Sequence, residues 1–463
     1  MPQPCHWFLR LAVPFGLIYA LIVPPFQAPD ETSHFYRAYH LSEGHWMGVQ
    51  QDGRRLGGDL PASLLAFYQP FSHLRYDYEA RITVDSLRRA MAIPLQPGRR
   101  TFTDFANTGF YAPTSYLPYA IVFAILKPFR PGPGWFFYAG RLAGLAFWIF
   151  VLFHAIRLLP YHRWTIAFCA LLPASLFMHA SLSGDTVINA VAFYLIAWQL
   201  ALIFDEKRQF GWRQGLGLLG LSAVLSLGKV VYAPLISLFW LIPKEKFAST
   251  KSYWWWGSGL MLANAALLLG WYFYSGALFV PYDAYDPVFR EGQQLNPGVD
   301  PAGQMAFIIE HPFHFARMIM GSYRDSLPAT LAHYAGKFGW EHNYLPTPLI
   351  GLLLLTLLGL ALFERGQPEG LDWRRRLFFF SLAAGMCLAL ATVLYLLWQT
   401  VGDSRIVVLM GRYFFPIFPL IWLALPLRRL SLPQRLLCLW ALGLSAFALL
   451  WGVWAVMQRY YFG

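Results

Sequence analysis

Charge is scarce in this chain. Of 463 residues only 13% are Asp, Glu, Lys or Arg, about half the roughly 25% of a soluble domain. Cysteine is scarcer still. Cys5, Cys169, Cys387 and Cys438 share no CxxC spacing, which excludes a disulfide scaffold and a zinc ribbon. A Walker A loop, a Gly-x-Ser-x-Gly elbow and a His-Glu-x-x-His pair are all missing. A P-loop, serine-hydrolase chemistry and a zincin site therefore have no support. Apolar residues take the place of the charge, at 57% of the chain, with 18% aromatic and a mean hydropathy of +0.43. These proportions exclude a disordered or fibrous protein and point to a multi-spanning membrane protein with wet outer loops. The net charge of +12 then reflects basic cytoplasmic loops rather than nucleic-acid binding.

The fold class expected is all-α and polytopic. The first apolar segment covers about 9–24 and ends in Pro24-Pro25-Phe26-Gln27 rather than a small-x-small cleavage site, so it reads as an uncleaved span. Further apolar segments cover 111–128, 135–159, 164–182, 186–204, 214–228, 230–243, 253–275, 346–363, 377–400, 412–427 and 434–457. Fifteen Lys or Arg fall in five short connections, from Arg157 to Arg435. The positive-inside rule places all five in the cytoplasm only if 111–128 does not cross. That segment opens Tyr111-Ala112-Pro113-Thr114-Ser115-Tyr116-Leu117-Pro118, and two prolines weaken a continuous span. It reads as an interfacial or re-entrant helix. About eleven spans result, with the N-terminus inside. Residues 1–275 form a core that includes a first outer loop at 25–134. Residues 276–345 form a second outer region, and 346–463 the C-terminal spans.

Polar residues that could carry chemistry gather on the outer side. Pro29-Asp30-Glu31-Thr32-Ser33-His34-Phe35-Tyr36-Arg37 opens a helix just after the first span. Asp30, His34 and Arg37 lie near one face. Asp30 could act as a general base, or the acids could simply cap the helix. A metal set of Asp30, Glu31 and His34 matches no tight ligand pattern, and a divalent ion such as Mg or Mn is left open. Asp185 sits in Ser181-Leu182-Ser183-Gly184-Asp185 between two spans. It is either functional or a solvated cap. Lys229, followed by Tyr232, faces outward against the charge rule. It could bind a lipid phosphate or snorkel among headgroups. Arg412 in Gly411-Arg412-Tyr413 suits a phosphate or a pairing with Asp403. The second outer region adds His311, His314, Arg317, Arg324, Asp325, His333, Lys337, Trp340, Glu341 and His342. Such a mixture suits a sugar site and equally an interfacial belt.

Pro29-Asp30-Glu31-Thr32 resembles the acidic pair after the first span of GT-C glycosyltransferases, and the Pro-Asp-Glu-Thr of the lipid A aminoarabinose transferases among them. Asp185 matches the place of a second acid in that superfamily, although Thr186 follows it where those transferases have Pro. Across about residues 9–427 the chain is identified as a member of a bacterial family catalogued as domain of unknown function 2142. The residues that carry this are Asp30-Glu31 with His34-Phe35 and Arg37-Ala38-Tyr39, then Tyr111 to Pro118, Ser181 to Asp185, Lys229 to Tyr232, and Gly411 to Pro416.

The resemblance implies a GT-C-like fold in the bacterial inner membrane, with an active site facing the periplasm. It implies an inverting transfer of sugar from a polyprenyl-phosphate donor to an envelope glycan or glycolipid. Asp30, Glu31 and Asp185 would be catalytic. His34, Arg37, Tyr111, Tyr116, Lys229, Tyr232, Lys337, Trp340, Glu341, Arg412 and Tyr413 would bind substrate. Membrane lipids and the two substrates are the expected partners, and nucleic acid is not. A flippase of lipid-linked sugars and a non-catalytic partner in an envelope polysaccharide complex are the alternatives.

Overall fold

The protein was analysed as a computed structural model, which describes residues 3–293, 295–340, 343–366, 368, 370–407, 409–425 and 433–462. Helix α1 (Pro4–Ile22) stops where Val23 precedes two prolines, because the residue before proline disfavours the helical region and proline donates no N–H. The chain turns and starts α2 (Glu31–Ser42). Strands β1 (Val49–Gln51) and β2 (Arg55–Pro61) follow, then α3 (Ala62–Tyr68), α4 (Val84–Met91) and β3 (Arg100–Asp104). The strands pair antiparallel in the order β1-β2-β3, with Val49 opposite Gly57 and Gly57 opposite Asp104.

This small sheet corrects the all-α expectation. A local signal for it exists in Asp52-Gly53, where both residues have positive φ, the pattern of a tight hairpin turn.

Segment 111–128 is a 3-10 turn at Pro113–Tyr116 followed by the ten-residue α5 (Leu117–Leu126). It packs between α2 and α6 (Pro133–Leu158). Segment 164–182, counted as one span, holds two helices: α7 (Arg163–Ala170) and α8 (Pro173–His179). Pro173 sits in the first turn of α8, where its missing N–H costs nothing. Then come α9 (Gly184–Phe204), α10 (Trp212–Gly228), a 3-10 stretch at Val230–Leu241, and α11 (Thr250–Gly276). Gly215, Gly217 and Gly220 have the spacing of a dinucleotide turn, but they lie inside α10. A Cβ at Gly215 or Gly217 would strike Trp256 or Trp198.

The second polar region holds α12 (Pro287–Arg290), α13 (Pro301–Glu310) and α14 (Pro312–Gly336). It does not stand apart from the first. Tyr285 donates to Asp104 Oδ1 at 2.6 Å and accepts from the Leu56 amide at 3.1 Å. Helices α15 (Thr347–Phe363), α16 (Trp373–Trp398), α17 (Phe418–Ala424) and α18 (Gln434–Tyr460) complete the chain.

Among the described residues five helices are long and apolar enough to cross a membrane: α1, α6, α9, α16 and α18. Among them α9 is the most enclosed, 83% buried over its apolar window. One continuous core of buried side chains runs through the helices, with α9 against α6 and α6 against α1. The turn that begins α2, the start of α9 and the end of α10 meet at one end of that core, where Asp30, Asp185 and Lys229 emerge.

Candidate functional site: two carboxylates and two cations

Asp30 precedes α2 in the left-handed region, at φ 64°, and its side chain makes no cap hydrogen bond. The capping alternative is therefore not what this carboxylate does. Arg412 Nη2 donates to Asp30 Oδ2 at 2.6 Å. Asn107 Nδ2 donates to Oδ1 at 3.4 Å. Burial alone would push the Asp30 carboxyl up, yet the Arg412 charge, helped by His34, holds it below its ordinary value. The cation wins because it lies at hydrogen-bond distance, where desolvation strengthens the attraction.

Asp185 is likewise not the cap of its helix. The Ser183 hydroxyl takes that role and accepts from the Asp185 amide at 3.2 Å. The Asp185 carboxylate instead pairs with Lys229 Nζ at 2.5 Å.

Each cation is delivered in the same way. Lys229 follows Gly228, where a Cβ would lie 2.0 Å from Ile188 Cδ1. Arg412 follows Gly411, where a Cβ would lie 2.3 Å from the Tyr334 backbone nitrogen. The absence of a side chain lets the 411–414 turn close on the α14 backbone, and a side chain at Gly228 would have to displace Ile188 for α10 to stay this close to α9. Tyr413 joins the two cations: its ring lies 5.0 Å from Lys229 Nζ and 5.2 Å from the Arg412 guanidinium carbon. Such cation–π contacts are favourable where water is excluded. Tyr232 donates to the Tyr413 carbonyl at 2.9 Å and holds it in place. Tyr111 lies in the electrostatic reach of Asp185, Tyr413 and Asp30.

Several expected site residues do other work. Glu31 is fully buried, and its two oxygens face Arg141 at 2.8 Å each. The same oxygens accept from the Phe26 and Leu182 amides at 3.1 and 2.9 Å. With its oxygens engaged by four donor atoms, Glu31 is a structural clamp under the turn rather than a group for a substrate. The Asp30, Glu31 and His34 metal set is therefore not assembled. Among the described residues no group of three His, Cys, Asp or Glu could hold a metal ion.

Arg37 is also withdrawn from the site. It is buried and donates to the His45, Trp46 and Tyr111 carbonyls, fastening the loop that carries Tyr111. His34 Nδ1 and the Tyr116 hydroxyl are 2.7 Å apart. Burial lowers the His34 pKa to about 4, so the ring is neutral and supports α2 against the 113–116 turn. Arg412 pairs with Asp30 rather than with Asp403, whose carboxylate receives Thr400 and the Ser404 amide.

Lys337 and Trp340 do reach the site, on the other side of Arg412, in a pocket they share with Pro29, His333 and Gly411. An isolated bridge between Lys337 and Tyr344 holds their turn. Glu341 and His342 lie outside the described residues. Arg324 and Asp325 pair with each other on the exposed surface at 2.8 Å.

Sequence reasoning missed Asn107 and Arg141. Asn107-Thr108-Gly109 gave only a weak polar signal. Arg141 was findable, as a lone charge inside an apolar helix, which is costly unless it is paired.

Comparison with known protein families matches residues 14–421 to the family described as "Predicted membrane protein (DUF2142)". The match covers most of the chain, and the protein belongs to this family of membrane proteins. No curated protein and no solved structure matches it.

Proposed function

We propose that this protein is an inverting glycosyltransferase of the GT-C kind. It would move a sugar from a polyprenyl-phosphate donor to an envelope glycan or glycolipid. The observation that carries this reading is the gathering of Asp30, Asp185, Lys229 and Arg412, from four distant parts of the chain, into two ion pairs sharing Tyr413. A transfer of this kind asks for one base and for cations that meet a departing phosphate.

Asp30 takes the proton from an acceptor hydroxyl. The oxygen attacks the anomeric carbon from the face opposite the phosphate. The carbon–oxygen bond to phosphate breaks, and polyprenyl phosphate leaves with the electron pair. Lys229 and Arg412 stabilise the charge that develops on it. The leaving group is already an anion of low basicity, so no second carboxylic acid is needed, unlike in a glycosidase. Asp185 positions Lys229.

The eleven-span topology belongs to this proposal, with the N-terminus inside and the site at the periplasmic face of the inner membrane. Helix α11 supports it, with aromatics at 253–256 and again at 271–274. Eighteen residues of helix separate the two clusters by about 27 Å. That is close to the roughly 30 Å of a bilayer core, and aromatics favour its two interfaces.

The break between α7 and α8 favours a second reading, a flippase of lipid-linked sugars. Leu171 and Leu172 at that break are buried and apolar, however, whereas a transport site needs polar groups there.

The test is Asp30→Asn in the native host beside a deletion and a wild-type rescue, with mass analysis of envelope glycolipids and polymers. Loss of one sugar unit in the deletion and in Asp30→Asn at normal abundance supports transfer. Wild-type masses with Asp30→Asn refute it.

A further inference from the structure

Arg412 stands between two environments. On one side Nη2 holds Asp30. On the other lies the pocket lined by Pro29, His333, Lys337, Trp340, Gly411 and Arg412 itself, a cavity of about 40 Å³. A cavity of that size has room for small polar groups such as the terminal oxygens of an oxyanion.

Two of the donors around it are unspent. Arg412 Nε and Trp340 Nε1 are both buried, and neither has a hydrogen-bond partner among the described residues. Buried N–H groups left without an acceptor are costly and uncommon. Two on the same wall ask for a ligand rich in acceptor oxygens.

The charge agrees. Arg412 and Lys337 are cations, and Arg75 lies over the Trp340 ring at 3.5 Å. His333 adds no charge: burial, with Lys337 nearby, lowers its pKa to about 4, and its Nε2 is 2.6 Å from the Tyr344 hydroxyl. The wall has positive charge and N–H donors, and among the described residues that line it none is a carboxylate.

We propose that this pocket is an oxyanion site for the phosphate of an isoprenyl-phosphate lipid, and that filling it draws Arg412 away from Asp30. The site deepens the transferase reading and rests on it for the role of Asp30. Phosphate and the Asp30 carboxylate compete for one guanidinium. Before the donor arrives, Asp30 is neutralised by Arg412 and is a poor base. Once phosphate oxygens engage Arg412 Nε, Trp340 Nε1 and Lys337, the Asp30 carboxylate loses its partner and its proton affinity rises. The base is thus unmasked only when a donor is present.

The test is direct binding to the full chain in lipid nanodiscs, by calorimetry, with farnesyl phosphate, farnesol and inorganic phosphate as probes. Farnesyl phosphate should bind and farnesol should not. Lys337→Met should weaken binding about tenfold, the scale of one charge-assisted hydrogen bond. Trp340→Phe keeps a ring under Arg75 and removes only the N–H, and should weaken binding about threefold. Asp30→Asn should tighten it about tenfold, because the competing charge is gone.

Wild-type affinity in both Lys337→Met and Trp340→Phe overturns the site. Unchanged or weaker binding in Asp30→Asn overturns the competition. Equal affinity for inorganic phosphate and farnesyl phosphate, lost in the same variants, makes this a free-phosphate site and overturns the lipid assignment. These outcomes are separable from the transferase reading. If phosphate binds as described while Asp30→Asn leaves envelope masses unchanged, the site stands and the transferase reading falls.

Discussion

Two Arg–carboxylate pairs have acids one residue apart in the chain and very different surroundings. Glu31 and Arg141 are sealed beneath the turn, with side chains 0% and 1% exposed. Asp30 and Arg412 sit above it, 11% and 12% exposed. Beneath the turn Glu31 meets four donor atoms, and Arg141 also binds the Ala20, Val23 and Pro24 carbonyls at the end of α1. Above the turn one Asp30 oxygen meets one guanidinium nitrogen and the other only the Asn107 amide at 3.4 Å, and the Arg412 Nε remains without a partner among the described residues. A saturated pair is a fastening. An unsaturated pair at a surface can exchange its partner. The first braces the turn that carries Asp30, through the Phe26 and Leu182 amides and Arg141.

The sharpest break of this comparison is Glu31→Gln. Removing one charge strands the buried Arg141 and costs about 3–5 kcal/mol. The chain should fail to accumulate in membranes, or its unfolding midpoint should fall far below wild type. A normal midpoint would mean that the pair is no fastening.

Asp30→Asn should do the opposite. Stability should fall less than in Glu31→Gln, because this pair is 11% and 12% exposed and has fewer hydrogen bonds to lose, while on the transferase reading sugar transfer falls by roughly 10²- to 10⁴-fold, the usual scale for a general base. Immunoblotting of membranes together with glycolipid masses separates the two outcomes.

Lys229 and Asp185 form the second open pair, and single changes there should not add. Asp185→Asn and Lys229→Gln should each lower transfer, and the double variant should be little worse than either. A double-mutant cycle on the transfer rate reads this coupling. Full additivity would remove Asp185 from the task of positioning Lys229.

A smaller effect lies in the pH profile. Arg412 holds the Asp30 carboxyl down against burial. In Arg412→Gln the largest influence opposing burial is gone, the carboxyl titrates at higher pH, and the acid limb of kcat/KM should move upward. An acid limb that stays in place would detach it from Asp30. The same pair contributes stability above the ordinary carboxylate range, and that contribution is lost as pH falls through the folded pKa.

His34 supplies the smallest test. Its folded pKa is lowered from 6.5 to about 4. Between those values the unfolded chain takes up a proton that the folded chain refuses, so stability falls as pH drops through that window. His34→Gln should flatten this part of the stability curve measured by thermal unfolding.

Much of the fold was legible because hydrophobic length is a local property. The apolar runs at 135–159, 186–204, 377–400 and 434–457 correspond to α6, α9, α16 and α18 within a few residues. The break in 164–182 was less legible: Pro173 marks it, but proline within an apolar run also occurs inside a continuous helix, as Pro14 does in α1. The sheet was overlooked because Arg55-Leu56-Gly57-Gly58-Asp59 has little β propensity. Its strands are held by register and by Tyr285, a residue from the other polar region.

By itself the sequence determined that this is a helical membrane protein with acids and cations at the ends of its apolar segments. Composition and run length are additive over neighbouring residues, and a bilayer reads them directly. Which acid is sealed and which is open was decided only by the tertiary structure. Asp30 and Glu31 are chemically alike and adjacent, so no local pattern ranks them. Their difference arises from Arg141, 110 residues away from Glu31 in the chain, and Arg412, 382 residues away from Asp30. Electrostatic partnership depends on distance through space, and only the folded chain sets that distance.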